Sequence, residues 1–405
     1  MIGDRSFVQF ASCPDLGSEY EELAKYGVSH RVYPAATQAG TRICFHFERH
    51  ISGFAPHQVG PAFEVPDAIA VEAMIEAAFW ASLRREEGYI PRISLAFVAP
   101  EAVNQPLRFE RQLPLAAQPL TRLAPAVERP GIHLGVWRDS RQFFVWGATR
   151  NVPPFCLVLE VIAPGLLVVK HSRHESEKFA NLAVLHGEEI KVIDESFTHL
   201  PDCPDLLASL LGDDPQQFSS ESAGLLSRLA ISMRAHGRGG SLLVVPAETQ
   251  LWRESMARPV LYSVLPPFSA LAELIHNRDA RSADRHRADA LRSAVDAVAG
   301  LTAVDGATVI SDRYEVLAFG AKIVRREGAL QVGNVIVTEP IEDVRAEVVD
   351  PGQLGGTRHL SAVQFVHDQH DAMALVASQD GRFTVFTWSP CENMVHAHRI
   401  ESLLL

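Results

Sequence analysis

The stretch Gly355-Gly356-Thr357-Arg358-His359-Leu360-Ser361-Ala362 packs two glycines, two hydroxyls, an arginine and a histidine into eight residues. The glycines permit a tight backbone turn and the residues through His367 suit a helix, so free N–H groups and a positive dipole end would lie beside Thr357, Arg358 and Ser361. Such an arrangement binds anions. Arg358 can take two phosphate oxygens at once, the hydroxyls can donate to others, and a neutral His359 can donate a hydrogen bond or ligate a metal. The structural alternative makes Thr357 an ordinary N-cap and Arg358 a solvated first-turn side chain.

Two further segments carry the same chemistry. Asp305-Gly306-Ala307 stands at the mouth of the apolar run "ATVIS". A carboxylate there, with glycine behind it, lets a ligand approach the backbone and can hold Mg2+ or Mn2+ beside phosphates. Ser378-Gln379-Asp380-Gly381 follows the run "AMALVA". Each is by itself an ordinary turn. Strand termini gather on sheet edges, however, and one edge would collect all three segments.

The elements that must position them fall into two groups. In the first, "PDAIAVEAMIEAAFWASLRREEG" (Pro66 to Gly88) repeats apolar residues at three- and four-residue intervals and predicts an amphipathic helix lying on a sheet; Ile93 to Val98 predicts a strand of that sheet. Prolines and charges dominate residues 100–130 without a period, which reads as a long surface connection. From Ile132 onward, "IHLGVW", a turn at Asp139-Ser140, "QFFVWGA", "FCLVLEVIAPGLLVVKH" and "FANLAVLHGEEIKVID" predict hairpins. "LGDDPQQFSSES" (Leu211 to Ser222) is the expected boundary, giving an α+β regulatory domain over 1–215 and a nucleotide-binding domain over 216–405. The second group alternates: a helix ending near Gly237, the strand "SLLVVP", an arginine-rich helix to Gly300, a strand pair turning at Asp312-Arg313, the helix after Gly356, and a strand pair turning at Gln379-Asp380-Gly381. This predicts an α/β domain with a mixed sheet flanked by helices. No internal repeat is visible.

Taken together and in order, the three segments resemble the diadenylate cyclase (DAC) domain, the catalytic domain of the DNA-integrity scanning protein DisA and its relatives. That family carries a DGA motif, a GTRHR motif followed by Thr, Ala or Ser, and a Ser-Glu turn after the next strand. The resemblance spans roughly residues 220–390, including "RAHGRGGSLLVVP" (Arg234 to Pro246) at the entry. The chain is also similar to a group of long proteins, described as nucleotide sensors, in which a module with a helix like "AAFWASLRREEG" precedes such a domain.

In the family, two domains meet face to face, each holding one ATP, and each 3′-hydroxyl attacks the other's α-phosphate to give cyclic di-AMP and two pyrophosphates. The resemblance therefore implies a homo-oligomer, Mg2+ or Mn2+ as cofactor, and ATP or a cyclic dinucleotide as ligand. It implies Asp305, Arg358 and His359 as catalytic residues, with Asp305 and His359 at the metal. Gly306, Ala307, Gly356, Thr357, Arg358, Ser361 and Ser378 would border the nucleotide. Positioning and charge neutralisation supply most of the acceleration in phosphoryl transfer, which is what such residues offer. This chain departs from the family pattern in three places. Leu360 stands where active members have a second arginine, Gln379 stands where they have glutamate, and an extra segment around "EGALQVGNVIVTEPIEDVRAEVVDPGQ" separates the first two motifs. Three functions stay open: a nucleotide-binding sensor, an active diadenylate cyclase that tolerates Leu360, and an interaction module with a vestigial site.

Composition narrows the field. With 405 residues, 47% of them hydrophobic, the chain buries sizeable cores. A net charge of −12 opposes a general nucleic-acid surface, because duplex binding needs clustered Lys and Arg. No run approaches the apolar length of a membrane helix, and the first residues place acids where a signal peptide needs its apolar core, so a soluble, cytoplasmic protein is expected. The five cysteines form no CxxC pair. "HDQH" (His367 to His370) and "HAH" (His396 to His398) lack the HExxH pattern, "HGRGG" (His236 to Gly240) precedes a strand rather than opening a helix, and neither GxSxG nor a Walker lysine loop occurs.

Overall fold

The computed structural model of the chain describes residues 32–52, 64–139, 142–172, 179–199, 202–211, 221–276 and 284–405. Most of the expected boundary at Leu211 to Ser222, and part of the turn at Asp139-Ser140, lie outside them. The described residues form two mixed sheets with eight α-helices, an α/β fold as expected. No helix among them is long and apolar enough to cross a membrane.

The first half contains α1 (Pro34–Ser52), α2 (Ala68–Ser82), β1 (Ile93–Phe97), β2 (Leu107–Pro114), α3 (Ala117–Val127), β3 (His133–Arg138), β4 (Phe143–Thr149), β5 (Leu157–Ala163), β6 (Leu166–Ser172), β7 (Phe179–His186) and β8 (Glu189–Val192). Asp67 caps α2 by accepting from the Ala70 N–H at 2.8 Å, and the apolar stripe Val71, Met74, Ile75 and Ala78 is fully buried. Alternate residues of β1 divide between two clusters. Ile93, Leu95 and Phe97 pack with the three helices, while Ala96 and Val98 pack with Phe144, Trp146, Cys156 and Val158 on the other face. The strand order is β2-β4-β3-β1-β5-β6-β7-β8.

Residues 100–130 are not an irregular connection, because they hold β2 and α3. β2 is an outer strand in which only Phe109 and Leu113 are half-buried against the core; Arg111 stands between them where the apolar alternation would continue, and the register breaks there, so the strand pattern is incomplete. α3 buries only Leu120, Thr121, Ala124 and Val127 and contains Pro125, which hides its period.

The second half contains α4 (Asp205–Leu211), α5 (Glu221–Ala235), β9 (Gly240–Val245), β10 (Tyr262–Phe268), α6 (Ala270–His276), α7 (Asp284–Leu301), β11 (Ala307–Ser311), β12 (Val316–Ala321), β13 (Val335–Thr338), β14 (Glu347–Val349), α8 (Thr357–Asp368), β15 (Met373–Ala377), β16 (Phe383–Ser389) and β17 (Met394–Arg399). Its sheet runs β10-β12-β11-β9-β15-β16-β17-β13-β14. Leu206, Leu229, Met233, Val295 and Val298 bring α4, α5 and α7 onto one face, and Ala362, Val363, Phe365 and Val366 bring α8 onto the other. The extra segment between the first two motifs supplies β13 and β14, which extend this sheet beyond β17.

The two halves repeat one architecture. β2-β4-β3-β1-β5-β6-β7 and β10-β12-β11-β9-β15-β16-β17 share their order and every pairing sense, with β1–β3 and β9–β11 the parallel pairs and the rest antiparallel. The expectation of no internal repeat is thus corrected at the level of topology. The sequence conceals it because the connection after β4 is residues 150–156, whereas the one after β12 carries β13, β14 and α8 and breaks any fixed spacing. A local echo survives in Trp146-Gly147-Ala148 of β4 and Phe319-Gly320-Ala321 of β12.

The halves join through the link between β13 and β14. Ile193, just past β8, bridges Ile341, and around it Asp194 N donates to Pro340 O and Glu342 N to Val192 O, each at 2.9 Å. Lys191 pairs with Glu339 at 2.8 Å, and buried His46 of α1 meets Glu342 at 3.0 Å.

A largely buried polar row crosses the face of the first sheet opposite its helices. Ser94 Oγ lies 2.7 Å from His133 Nδ1 and 3.4 Å from Glu160 Oε1, and Glu160 pairs with Lys170 at 2.6 Å. Burial holds the His133 imidazole down at about 4, against the opposing pull of Glu160. The unfolded chain takes up this proton near the ordinary value of about 6.5, before the folded chain does, so the stability His133 contributes is full above that pH and is lost as pH falls towards 4. Replacing His133 with Gln is expected to flatten the decline of unfolding free energy between pH 6.5 and 4 by up to about 1.4 kcal/mol per pH unit. Denaturant titrations across that range check it, and an unchanged slope contradicts it.

Candidate functional site

Strand direction decides where the three motifs end up. β9 and β11 are parallel, with Ser241 opposite Ala307, and β15 is antiparallel to β9, with Ala377 opposite Gly240. The starts of β9 and β11 and the end of β15 therefore share one sheet edge, which gathers Gly239, Asp305-Gly306 and Ser378. α8 begins at the same edge.

The two glycines before α8 do different work. Gly355 has φ +151°, and a Cβ there would come within 2.9 Å of His359 Nδ1, so the histidine ring packs where a side chain would stand. Gly356 is the N-cap, extended at φ −75° and ψ −171°, and a Cβ on it would meet nothing within 4 Å. Thr357 is thus the first helical residue rather than the cap. Helical hydrogen bonding starts with the His359 N–H, which donates to Gly356 O at 3.0 Å, leaving the N–H groups of Thr357 and Arg358 ahead of it at the open end. Arg358 reaches over the start of β9: a Cβ on Gly239 (φ +70°) would lie 3.1 Å from Arg358 Nη1, 3.2 Å from Ala377 O and 3.3 Å from Gln379 Cγ. Gln379 in turn donates to Arg238 O at 3.2 Å.

Asp305 faces solvent and accepts from Lys322 Nζ at 2.5 Å. The Lys322 hydrogen bond and charge hold its carboxyl below the usual range, with further help from the Arg358 charge and the Gly306 N–H. Gly306 has φ +114°, and a Cβ there would fall 2.5 Å from the Gly320 carbonyl carbon, so β11 and β12 approach at this point as only glycine allows. Ala307 is buried as the first residue of β11, and its backbone is what it can offer a ligand.

His359 points inward. Its ring is buried edge-on to Phe386 at 6.1 Å, its Nε2 is buried without a hydrogen-bond partner, and burial lowers its pKa, with Asp380 opposing. The imidazole is therefore neutral at pH 7 and braces the Gly355 turn. Ser378 closes the β15–β16 turn, its N–H donating to Arg382 O at 2.9 Å and its hydroxyl to Asp380. Burial opposes the charge of Asp380, but the Ser378 and backbone hydrogen bonds, with the Arg382 charge, together hold its carboxyl low. Ser361, one turn into α8, is half-buried. Among the described residues, no three His, Cys, Asp or Glu side chains gather as a metal site. His367 and His370 pack on Trp388, and buried His398 bonds Thr338 at 2.7 Å.

Three site residues escape a motif-based reading. Lys322 follows β12 directly and is placed by the hairpin that turns at Asp312-Arg313, whose register sets Ala321 opposite Ala307; counting back from that turn would have found it. Gly239 belongs to "HGRGG", which precedes a strand and therefore does not read as a helix-opening phosphate loop. Tyr262 of β10 stacks on Phe319 at 4.8 Å, half exposed, and abuts Gly320 beside the Asp305 turn. This exposed aromatic face sits next to the charged cluster. Among the described residues, the first half has no counterpart of this cluster. The turn into β3 reads Pro130-Gly131-Ile132, keeping a positive-φ glycine (+77°) without the carboxylate, and no helix follows β4.

Residues 61–150, which span α2 and β1 through β4, match the model of a family described as "Probable sensor domain DACNV". The match supports a sensor domain within the first half. No curated protein matches the chain.

The Gly306–Gly320 contact makes a direct prediction. Gly306→Ala forces a Cβ into backbone at a φ that L-residues rarely adopt, and about 1–3 kcal/mol of stability should be lost. A chemical-denaturation midpoint equal to the parent's contradicts it.

Proposed function

We propose that the second half binds an adenine nucleotide, ATP or a cyclic dinucleotide, and that the protein reports this nucleotide or responds to it through the sensor domain. The observation that carries the reading is the convergence of Arg358, Lys322, the open N-terminus of α8 and the glycine-lined strand starts on one edge, with an exposed Tyr262–Phe319 stack alongside. Cations and free N–H groups suit phosphates, and an exposed aromatic face suits a base. The likeness of the motifs to the diadenylate cyclase domain supports the same ligand class, and Gly306, Thr357, Arg358, Ser361 and Ser378 are the residues assigned to it.

Binding is favoured over turnover. Leu360 is 40% exposed beside Arg358, so the position where active members of the resembled family have arginine faces solvent with an apolar side chain. A cyclase would need that charge, or a replacement, to offset the triphosphate in the transition state. His359, buried and neutral, acts here as a positioning residue for the Gly355 turn and the start of α8.

Isothermal titration of the full chain with ATP and with cyclic di-AMP tests the reading. Binding of one of them is expected, with Arg358→Ala weakening it at least ~10-fold, the loss typical of a charge-assisted contact. Heat-silent titrations with both ligands contradict it. Leu360→Arg should strengthen binding by about 5- to 10-fold, because the new guanidinium emerges at an exposed position next to the phosphates; an affinity no higher than the parent's contradicts that placement.

A further inference from the structure

Lys322 stands at Asp305 where the family likeness leads one to expect a divalent cation. Its Nζ is 2.5 Å from Asp305 Oδ2, and the backbone fixes the encounter: Ala307 pairs with Ala321, and Gly306 is pressed against Gly320, so residue 322 emerges beside the Asp305 turn whatever its rotamer. Mg2+ in a nucleotide site keeps several waters and is held by one or two protein carboxylates together with substrate phosphates, so what it needs from the protein is a free carboxylate. Here the Asp305 carboxylate already accepts from an ammonium, and His359 is turned into the core against Phe386. The residues present do not fit a metal held by the protein. They fit a second cation built into the chain, since Lys322 adds to Arg358 the positive charge that Leu360 withholds.

We propose that Lys322 replaces both the divalent metal and the missing arginine, so that this site holds nucleotide phosphates in the absence of any divalent cation. The inference rests on the nucleotide reading of the same site. A lysine ammonium is a compact charge on a flexible stem, and Lys322 is 53% exposed, so it turns from Asp305 to a phosphate oxygen without moving the backbone. Asp305 then acts against anion binding rather than for it, by holding the ammonium in the ligand-free protein.

The test is titration of the full chain with ATP in EDTA and again in MnCl2, for the parent and for Lys322→Ala, Lys322→Arg and Asp305→Asn. The parent is expected to bind in EDTA within about threefold of its affinity in Mn2+. Lys322→Ala should lose ~10-fold or more in EDTA, Lys322→Arg should stay within about threefold of the parent, and Asp305→Asn should bind more tightly without metal. Thermal melts of the three variants, all altered at exposed side chains, control for folding. Parent binding that occurs with Mn2+ but not in EDTA overturns the proposal and leaves the nucleotide reading intact. Equal affinities of the parent and Lys322→Ala in EDTA also overturn it. Absence of binding in both conditions overturns the proposal and the reading together.

Discussion

The parallel pairing of β9 with β11 is the constraint on which the second half depends. Parallel neighbours start at the same edge, and an antiparallel strand beside them ends there, so Gly239, the Asp305 turn and Ser378 meet although more than a hundred residues separate the first from the last. The pairing also fixes the helices. A parallel crossover must carry its connection over a sheet face, and here that connection includes α7, which covers the side opposite α8. Once the sheet is sandwiched, the edge is left as the open polar surface of the domain, and a ligand that needs backbone N–H groups finds them there.

The same seven-strand arrangement in the first half carries no such surface. Its parallel pair, β1 and β3, also brings two strand starts together, but the turn between α3 and β3 keeps a glycine without a carboxylate, and the short connection after β4 leaves out the helix that supplies Arg358. The polar strand-start surface and the match to a probable sensor domain thus fall on two versions of one architecture. They are joined where the insertion that creates β13 and β14 meets β8 and α1, through the Ile193–Ile341 bridge and the charges of Lys191, Glu339, His46 and Glu342. That insertion leads directly into Gly355 and α8, so the contact with the first half and the helix that carries Arg358 lie on one continuous segment.

Much of this was legible in the sequence, and the failures have physical causes. α2 and α8 announce themselves through helical spacing and caps, the hairpins of β3 to β8 and of β11–β12 through their turns, and β1, β9 and β11 as short continuous apolar runs buried on both faces. β2 and α3 do not, because Arg111 and a register break interrupt the strand's alternation and Pro119 and Pro125 make the helix read as an irregular segment. The shared topology was hidden because pairing order is a non-local property and an insertion in one half destroys constant spacing. At the site, Asp305, Arg358 and Ser378 were found by motif, since glycine and polar residues cluster at strand and helix ends. Lys322 and Tyr262 lie on neighbouring strands and reach the site through register. His359 was expected at the phosphates and lies instead beneath the Gly355 turn, a side-chain direction that spacing does not encode.

The most direct measurement is hydrogen–deuterium exchange of the whole protein with and without ATP in metal-free buffer. Binding at the strand-start edge predicts slowed exchange at residues 355–361 and around Gly239 and Asp305, with the first sheet changed chiefly near β8. Unchanged exchange at 355–361 under saturating ATP, or protection confined to other segments, would contradict the account.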